Sequence, residues 1–174
     1  MFSSLSIRSE KPSDLYTIHN VNLQAFGGEA EANLVDLLRQ RHADMISLVA
    51  EVDGQVAGHI FYSPVTVETN LLKKNLLGLA PLAVLPAFQN RGIGKALILA
   101  SFEVCRSLDV DGAVVLGSPV YYPRFGFSTA ANYGLSCVYP VPPEDFMAIA
   151  FKPNGLEGCS GTVNYHPTFT ELNV

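Results

Sequence analysis

Leu82-Ala83-Val84-Leu85-Pro86-Ala87-Phe88-Gln89-Asn90-Arg91-Gly92-Ile93-Gly94-Lys95-Ala96-Leu97 decides how this chain is read. It opens in an apolar, β-type run that begins at Leu76, and Pro86 closes that run. The period then changes. Ile93, Leu97, Ala100, Val104 and Leu108 recur every three or four residues, which predicts a helix from about Gly92 to Leu108 with one buried face. The order is therefore strand, glycine loop, helix. Backbone N–H groups at a helix start lack intrahelical partners and sit at the positive end of the macrodipole, so they can hold an anion. Gly92 and Gly94 let it approach, and Arg91 and Lys95 place positive charge beside it.

Outward from this stretch, the chain alternates strands and helices. Leu5 to Arg8 reads as an opening strand, and Pro12-Ser13-Asp14 supplies helix-start chemistry. Two amphipathic helices follow, one marked by Leu15, Ile18, Val21 and Ala25, the other, beyond Gly27-Gly28, by Leu34, Leu37, Leu38 and Arg41. Ile46 to Val52 and Gln55 to Val67 are β-rich runs joined by Asp53-Gly54, a pair suited to the positive φ angles of a tight hairpin. Ala113 to Leu116 is a short apolar run of the central-strand kind, ending at Gly117-Ser118-Pro119. The tail holds Pro140, Pro142 and Pro143, the run Phe146 to Phe151, an Asn154-Gly155 turn and a last strand near Thr162 to Tyr165. There is no internal repeat and no linker, so the whole chain, including a strand-rich extension of about 132–174, reads as one α/β domain.

Composition narrows the function classes. The 174 residues are 48% hydrophobic and 16% charged, enough for one well-packed core and too little charge for large disordered regions. A formal charge of −5 is wrong for a general nucleic-acid binder. Leu76 to Phe88 is too short to span a bilayer and is interrupted by Gly78, Pro81 and Pro86. Met1-Phe2-Ser3-Ser4 lacks the basic and apolar regions of a secretory signal, so a cytoplasmic location is expected. Cys105, Cys137 and Cys159 are odd in number and widely spaced, which argues against a disulfide framework and a zinc site.

Among phosphate-binding motifs, a nucleotide P-loop would need Gly at Gln89 and a hydroxyl residue at Ala96, and a dinucleotide fingerprint would need a third glycine at Leu97. Gln89-x-x-Gly92-x-Gly94, after Leu82-Ala83-Val84 and before an amphipathic helix, resembles the coenzyme A signature of the GNAT acetyltransferase superfamily. The resemblance extends over most of the chain, through the hairpin at Asp53-Gly54 to Tyr121-Tyr122-Pro123-Arg124-Phe125-Gly126-Phe127, which is similar to the family's Tyr-x-x-x-Gly-Phe element. Gly78 to Val84, that tyrosine segment and the ending Ser160-Gly161-Thr162-Val163-Asn164-Tyr165-His166-Pro167 look like a YhbS-like branch, which brings no established acceptor.

The resemblance implies a GNAT-like fold, with a mixed central sheet, helices on both faces and a cofactor cleft between splayed strands. It also implies transfer of an acetyl group from acetyl-CoA to an amine within a ternary complex. The acceptor would be a small molecule or a protein amino group; no nucleic acid, membrane or metal would be involved, and a homodimer is compatible. Gln89, Asn90, Arg91, Gly92, Ile93, Gly94 and Lys95 would hold the cofactor, with backbone N–H of Leu82, Ala83 and Val84 facing the thioester oxygen. Tyr122 would protonate the leaving thiolate, Tyr121 being left to packing. Ser118 would contact the pantetheine arm or a water, or cap the next helix. Glu29 and Glu31 are candidates for the acceptor cleft, or simply complement a helix dipole. His59 is a candidate base or a structural group. Leu76 to Leu85 contains no ionisable residue where related enzymes often carry an acid. A non-catalytic acyl-CoA sensor and an interaction domain that has lost the ligand are the alternatives.

Overall fold

The computed structural model describes residues 2–41 and 44–174. In chain order it contains β1 (Leu5–Ser9), α1 (Leu15–Phe26), α2 (Ala30–Arg41), β2 (Ile46–Val52), β3 (Gln55–Pro64), β4 (Thr66–Asn70), β5 (Leu76–Val84), α3 (Ile93–Ser107), β6 (Gly112–Leu116), β7 (Ser128–Thr129), β8 (Leu135–Cys137), β9 (Phe146–Ala150), β10 (Cys159–Asn164) and α4 (Pro167–Glu171). Two compact units divide it, Met1–Tyr62 with Pro81–Ser101 and Pro167–Val174, and Ser63–Ala80 with Phe102–His166.

In the first unit, β1 pairs antiparallel with β2 and β2 with β3. Asp53 (φ 47°) and Gly54 (φ 84°) both take left-handed conformations, the pair of positive φ angles that turns a two-residue hairpin with the twist of its strands. Asp53 Oδ1 also accepts the Ser4 amide at 2.8 Å, tying the start of β1 to the turn. Arg8 joins β1 to the start of α1 by a two-pronged contact with the buried Asp14, at 2.7 and 3.1 Å, while Asp14 accepts the Lys11 amide at 2.7 Å. Beyond β3 the Leu85 amide donates to Ala57 at 2.8 Å. A Cβ on Gly58 would stand 3.0 Å from Ile93 and Leu97 side-chain atoms and 3.3 Å from the Ala83 carbonyl. The bare backbone at Gly58 thus lets the end of β5 and the start of α3 close against β3.

In the second unit, β5 runs parallel to β6, with Leu76 opposite Gly112 and Leu79 opposite Val115, and β6 runs antiparallel to β9, which also pairs β7. A parallel pair needs a crossover, and α3 supplies it. Val114, Phe146, Ala148 and Leu156 pack with Val65, Leu76 and Val163 in one core, which is why these strands read as continuous apolar runs. A separate three-stranded sheet has the order β4-β10-β8.

Three expectations are corrected. Gln55 to Val67 is not one strand, because β3 ends at Pro64 and β4 begins at Thr66. The helix ends at Ser107, and Leu108, expected on its buried face, is 57% exposed; Ile98, Phe102 and Cys105 are buried instead. The last strand is Cys159–Asn164, earlier than expected, and α4 after it left no readable periodicity in five residues.

Candidate active site

In the first unit, β5 runs out through the turn Pro86–Phe88 into the glycine loop. Gln89 Nε2 donates to the Val84 carbonyl at 3.0 Å, so this side chain clamps the loop to the strand end. Asn90 (φ 61°) and Gly92 (φ 82°) are both left-handed, a conformation glycine adopts without the steric cost of a side chain. The first bond within α3 runs from the Ala96 amide to the Gly92 carbonyl at 3.0 Å. The N–H groups of Ile93, Gly94 and Lys95 precede it and emerge at the helix start. The buried Ile93 and Leu97 anchor that start, while Arg91 and Lys95 are exposed. A Cβ on Gly92 would meet no heavy atom within 4 Å, so the loop is open on that side. Arg91 lies 5.7 Å from the centre of the Phe2 ring and 6.0 Å from that of Phe88. A helix start of this kind, with two exposed cations beside it, is suited to an anion. Ala83 is buried, and Leu82 and Val84 are half-buried.

The tyrosine segment belongs to the second unit. Ser118 Oγ accepts the amides of Val120 (3.3 Å) and Tyr121 (3.2 Å), so it caps the turn that leads to Tyr122–Phe125. The Tyr122 ring meets Tyr121 edge-on at 5.1 Å and Phe127 at 5.6 Å. Burial, reinforced by Tyr121, pushes the Tyr122 phenol up to about 12. Tyr121 is held by packing as expected, with the Arg124 guanidinium 4.7 Å from its ring centre.

His59 as an acceptor-facing base is overturned. It is fully buried in β3 with both ring nitrogens engaged, Nε2 with Ser47 Oγ at 2.9 Å and Nδ1 with Asn22 Nδ2 at 3.1 Å. The hydroxyl of Ser47 donates to the Glu10 carboxylate at 2.5 Å, so Ser47 accepts from His59 Nε2–H, leaving Nδ1 to accept from Asn22. Arg39 completes the chain with two bonds of 2.9 Å to Glu10. The signal was present in the sequence as Ser47 and His59, two polar residues inside apolar strand runs. Only the register, which sets His59 opposite Val49 and Ser47 opposite Phe61, reveals that they share a face.

This network has a pH consequence. Burial, opposed by Glu10 and assisted by Arg39, lowers His59 to about 3. The unfolded chain takes up a proton near pH ~6.5 that the native state excludes, so the stabilisation present above that pH is lost as pH falls toward 3. At pH 5 the loss is expected to be about 2 kcal/mol at the standard ~1.4 kcal/mol per pH unit. Thermal melts at pH 7 and pH 5 check it, and a His59→Gln protein that melts normally at pH 7 should lose less on acidification.

Glu29 and Glu31 lie at the entrance of α2: the Glu29 carbonyl accepts the Asn33 amide at 2.8 Å, and Glu31 is in the first turn. That is the dipole-complementing position. Among the described residues no three His, Cys, Asp or Glu side chains gather as a metal site, and no helix is long and apolar enough to cross a membrane.

The mixed α/β fold, with a glycine turn joining β5 to the start of α3, is the architecture of an acyl-CoA-dependent transferase class. Residues 14–127 match the Acetyltransferase (GNAT) family, and the chain belongs to it. It is an N-acetyltransferase with acetyl-CoA as its acyl donor. The uncharacterized N-acetyltransferase YhbS of Escherichia coli K12 is 35% identical over 167 residues, covering 95% of this chain and 99% of that protein. The crystal structure of E. coli YhbS in complex with CoA superposes with a TM-score of 0.88 at 33% identity, over 95% of this chain and 92% of that one. A GNAT family acetyltransferase from Brucella melitensis in complex with acetyl-CoA gives 0.78 at 37% identity, over 95% and 98%.

Proposed function

We propose that the cradle of Gly92, Ile93, Gly94 and Lys95 holds the pyrophosphate of acetyl-CoA and that Tyr122 serves the departing sulfur. The observation that carries the reading is the left-handed Gly92, with no heavy atom within 4 Å of where a Cβ would stand, immediately before the start of α3. Asn90 and Arg91 are further proposed cofactor contacts, Ser118 is proposed separately as a contact of the pantetheine arm, and Gln89 acts by holding the loop's shape. Bound acetyl-CoA supplies an activated carbonyl. The backbone of Leu82, Ala83 and Val84 is proposed to donate toward its oxygen, where charge develops.

The acceptor is an amine, either a small molecule or a protein amino group. With no ionisable residue between Leu76 and Leu85, the strand offers no base, so the acceptor reacts as the fraction already neutral. A half-buried phenol on the tyrosine segment favours catalysis over a sensor, which needs only the cradle. Three free cysteines suit a reducing compartment, and the enzyme is proposed to act in the cytoplasm.

Calorimetric titration with acetyl-CoA, followed by measuring thiol release with a panel of polyamines, amino sugars, amino acids and lysine peptides, tests the reading. Saturable binding with amine-dependent thiol release is expected. Binding without release for any amine class would favour the sensor, and absence of binding by folded protein would remove the cradle assignment.

A further inference from the structure

We infer that Gly117 is a positioning residue for the transfer: its missing side chain forms the seat in which the Tyr122 ring lies and so sets where the phenol points. The inference rests on the assignment of Tyr122 as the group serving the leaving sulfur. A Cβ on Gly117 would stand 2.5 Å from Tyr122 Cε2, 3.1 Å from Cδ2 and 3.5 Å from Cζ. Carbon atoms in ordinary contact stand about 3.5–4.0 Å apart, so even alanine must displace the ring edge by roughly 1 Å.

Backbone conformation does not explain the glycine, because Gly117 lies outside the left-handed region. Space explains it. Its amide donates to the Asp145 carbonyl at 2.9 Å, which fixes the main chain at the end of β6 beneath the ring. Two other rings flank it. Tyr121 stands edge-on at 86° and Phe127 at 78°, Phe127 is itself buried against Phe102 at 5.9 Å, and the Ser118 carbonyl accepts the Tyr122 amide at 3.3 Å. A ring pushed from the Gly117 side tilts between these neighbours, and tilting swings the phenol oxygen, the atom farthest from Cβ. A donor must come within about 2.6–3.2 Å of its acceptor, and misplacement by about 1 Å is enough to lower a rate by roughly 100-fold.

The test uses full-length protein with ¹³C-labelled tyrosine rings, the Tyr122 signal being identified by its loss in Tyr122→Phe. In wild type, saturating CoA is expected to shift that signal. In Gly117→Ala the signal should already be displaced before CoA is added and its response to CoA largely lost, while CoA affinity changes by no more than about threefold because the cradle is intact. Where an amine supports turnover, kcat should fall about 10- to 100-fold with Gly117→Ala and no further when that change is added to Tyr122→Phe. A wild-type signal and CoA response in Gly117→Ala would overturn the inference and leave the assignment of Tyr122 standing. A wild-type Tyr122 signal indifferent to saturating CoA would overturn that assignment, and the inference with it. Should Gly117→Ala melt far below wild type, the Tyr122→Ala background decides. There the seat is empty and the extra methyl should lower the melting temperature no further, whereas an equal drop in both backgrounds would overturn the inference.

Discussion

Replacing Gly92 by Glu is expected to weaken acetyl-CoA binding by at least about 100-fold, or ~2.8 kcal/mol, with the fold retained. Two effects act together. Gly92 sits at φ 82°, where a side chain costs about 1–2 kcal/mol, so the loop relaxes away from its nest-like shape. The new carboxylate also lies beside the first N–H groups of α3, where it takes their hydrogen bonds itself and repels an incoming phosphate. The same carboxylate favours the helix dipole, which offsets part of the strain and keeps the protein folded. Gly92→Ala separates the two effects: its Cβ meets nothing within 4 Å and it carries no charge, so a loss of about tenfold or less is expected. Calorimetry with acetyl-CoA alongside thermal melts gives the comparison. A folded Glu variant with wild-type affinity would mean that the pyrophosphate binds elsewhere.

Tyr122→Phe is expected to lower kcat about 100- to 1,000-fold while leaving acetyl-CoA affinity within about threefold. With its pKa raised to about 12, the phenol keeps its proton throughout the working pH range. It is a weaker acid than a coenzyme thiol near ~8.5, so complete transfer to a free thiolate is uphill. In the proposed role the phenol is a hydrogen-bond donor to sulfur while charge develops there, a contribution made in the transition state and absent from the ground state. That is why the loss should appear in kcat and not in binding. The pH profile distinguishes this from a general structural defect. For an alkyl amine acceptor the rate should rise with pH toward the amine's own value near ~10.4 in wild type and variant alike, because the phenol does not titrate in that range. Steady-state kinetics from pH 6.5 to 9.5 measures both features; an unchanged kcat in Tyr122→Phe would assign protonation of the sulfur to solvent.

Local readings succeeded where one element carries its own physical signature. The Asp53-Gly54 hairpin, the strand from Leu76 and the helix over Ile93–Ser107 are each set by residue type and spacing. The strand–loop–helix order was equally legible, since strand end, left-handed glycine and helix start are contiguous in the chain. Ser118 was read with two roles open, and its oxygen caps the Tyr121 turn. Boundaries failed where a neighbour decides them. Pro64 removes a ladder donor at the end of β3, but Val65 to Val67 beyond it look as β-like as the residues before, and the separate strand β4 is set by pairing with β10, about 90 residues further on in the chain.

By itself, the sequence determined the strand–loop–helix junction, the hairpin and the tyrosine segment, because their signals are local backbone preferences and short-range spacing. Tertiary structure alone decided what became of the polar and glycine residues between them. His59 became a buried link between Asn22 and Ser47, because strand register set those side chains on one face and burial keeps the ring neutral. Gly117 became the seat of a ring five residues away, because the empty volume beside a glycine acquires a meaning only when the chain folds back into it. Spacing along the chain carries information about periodicity and turns, whereas burial and van der Waals exclusion depend on which atoms meet.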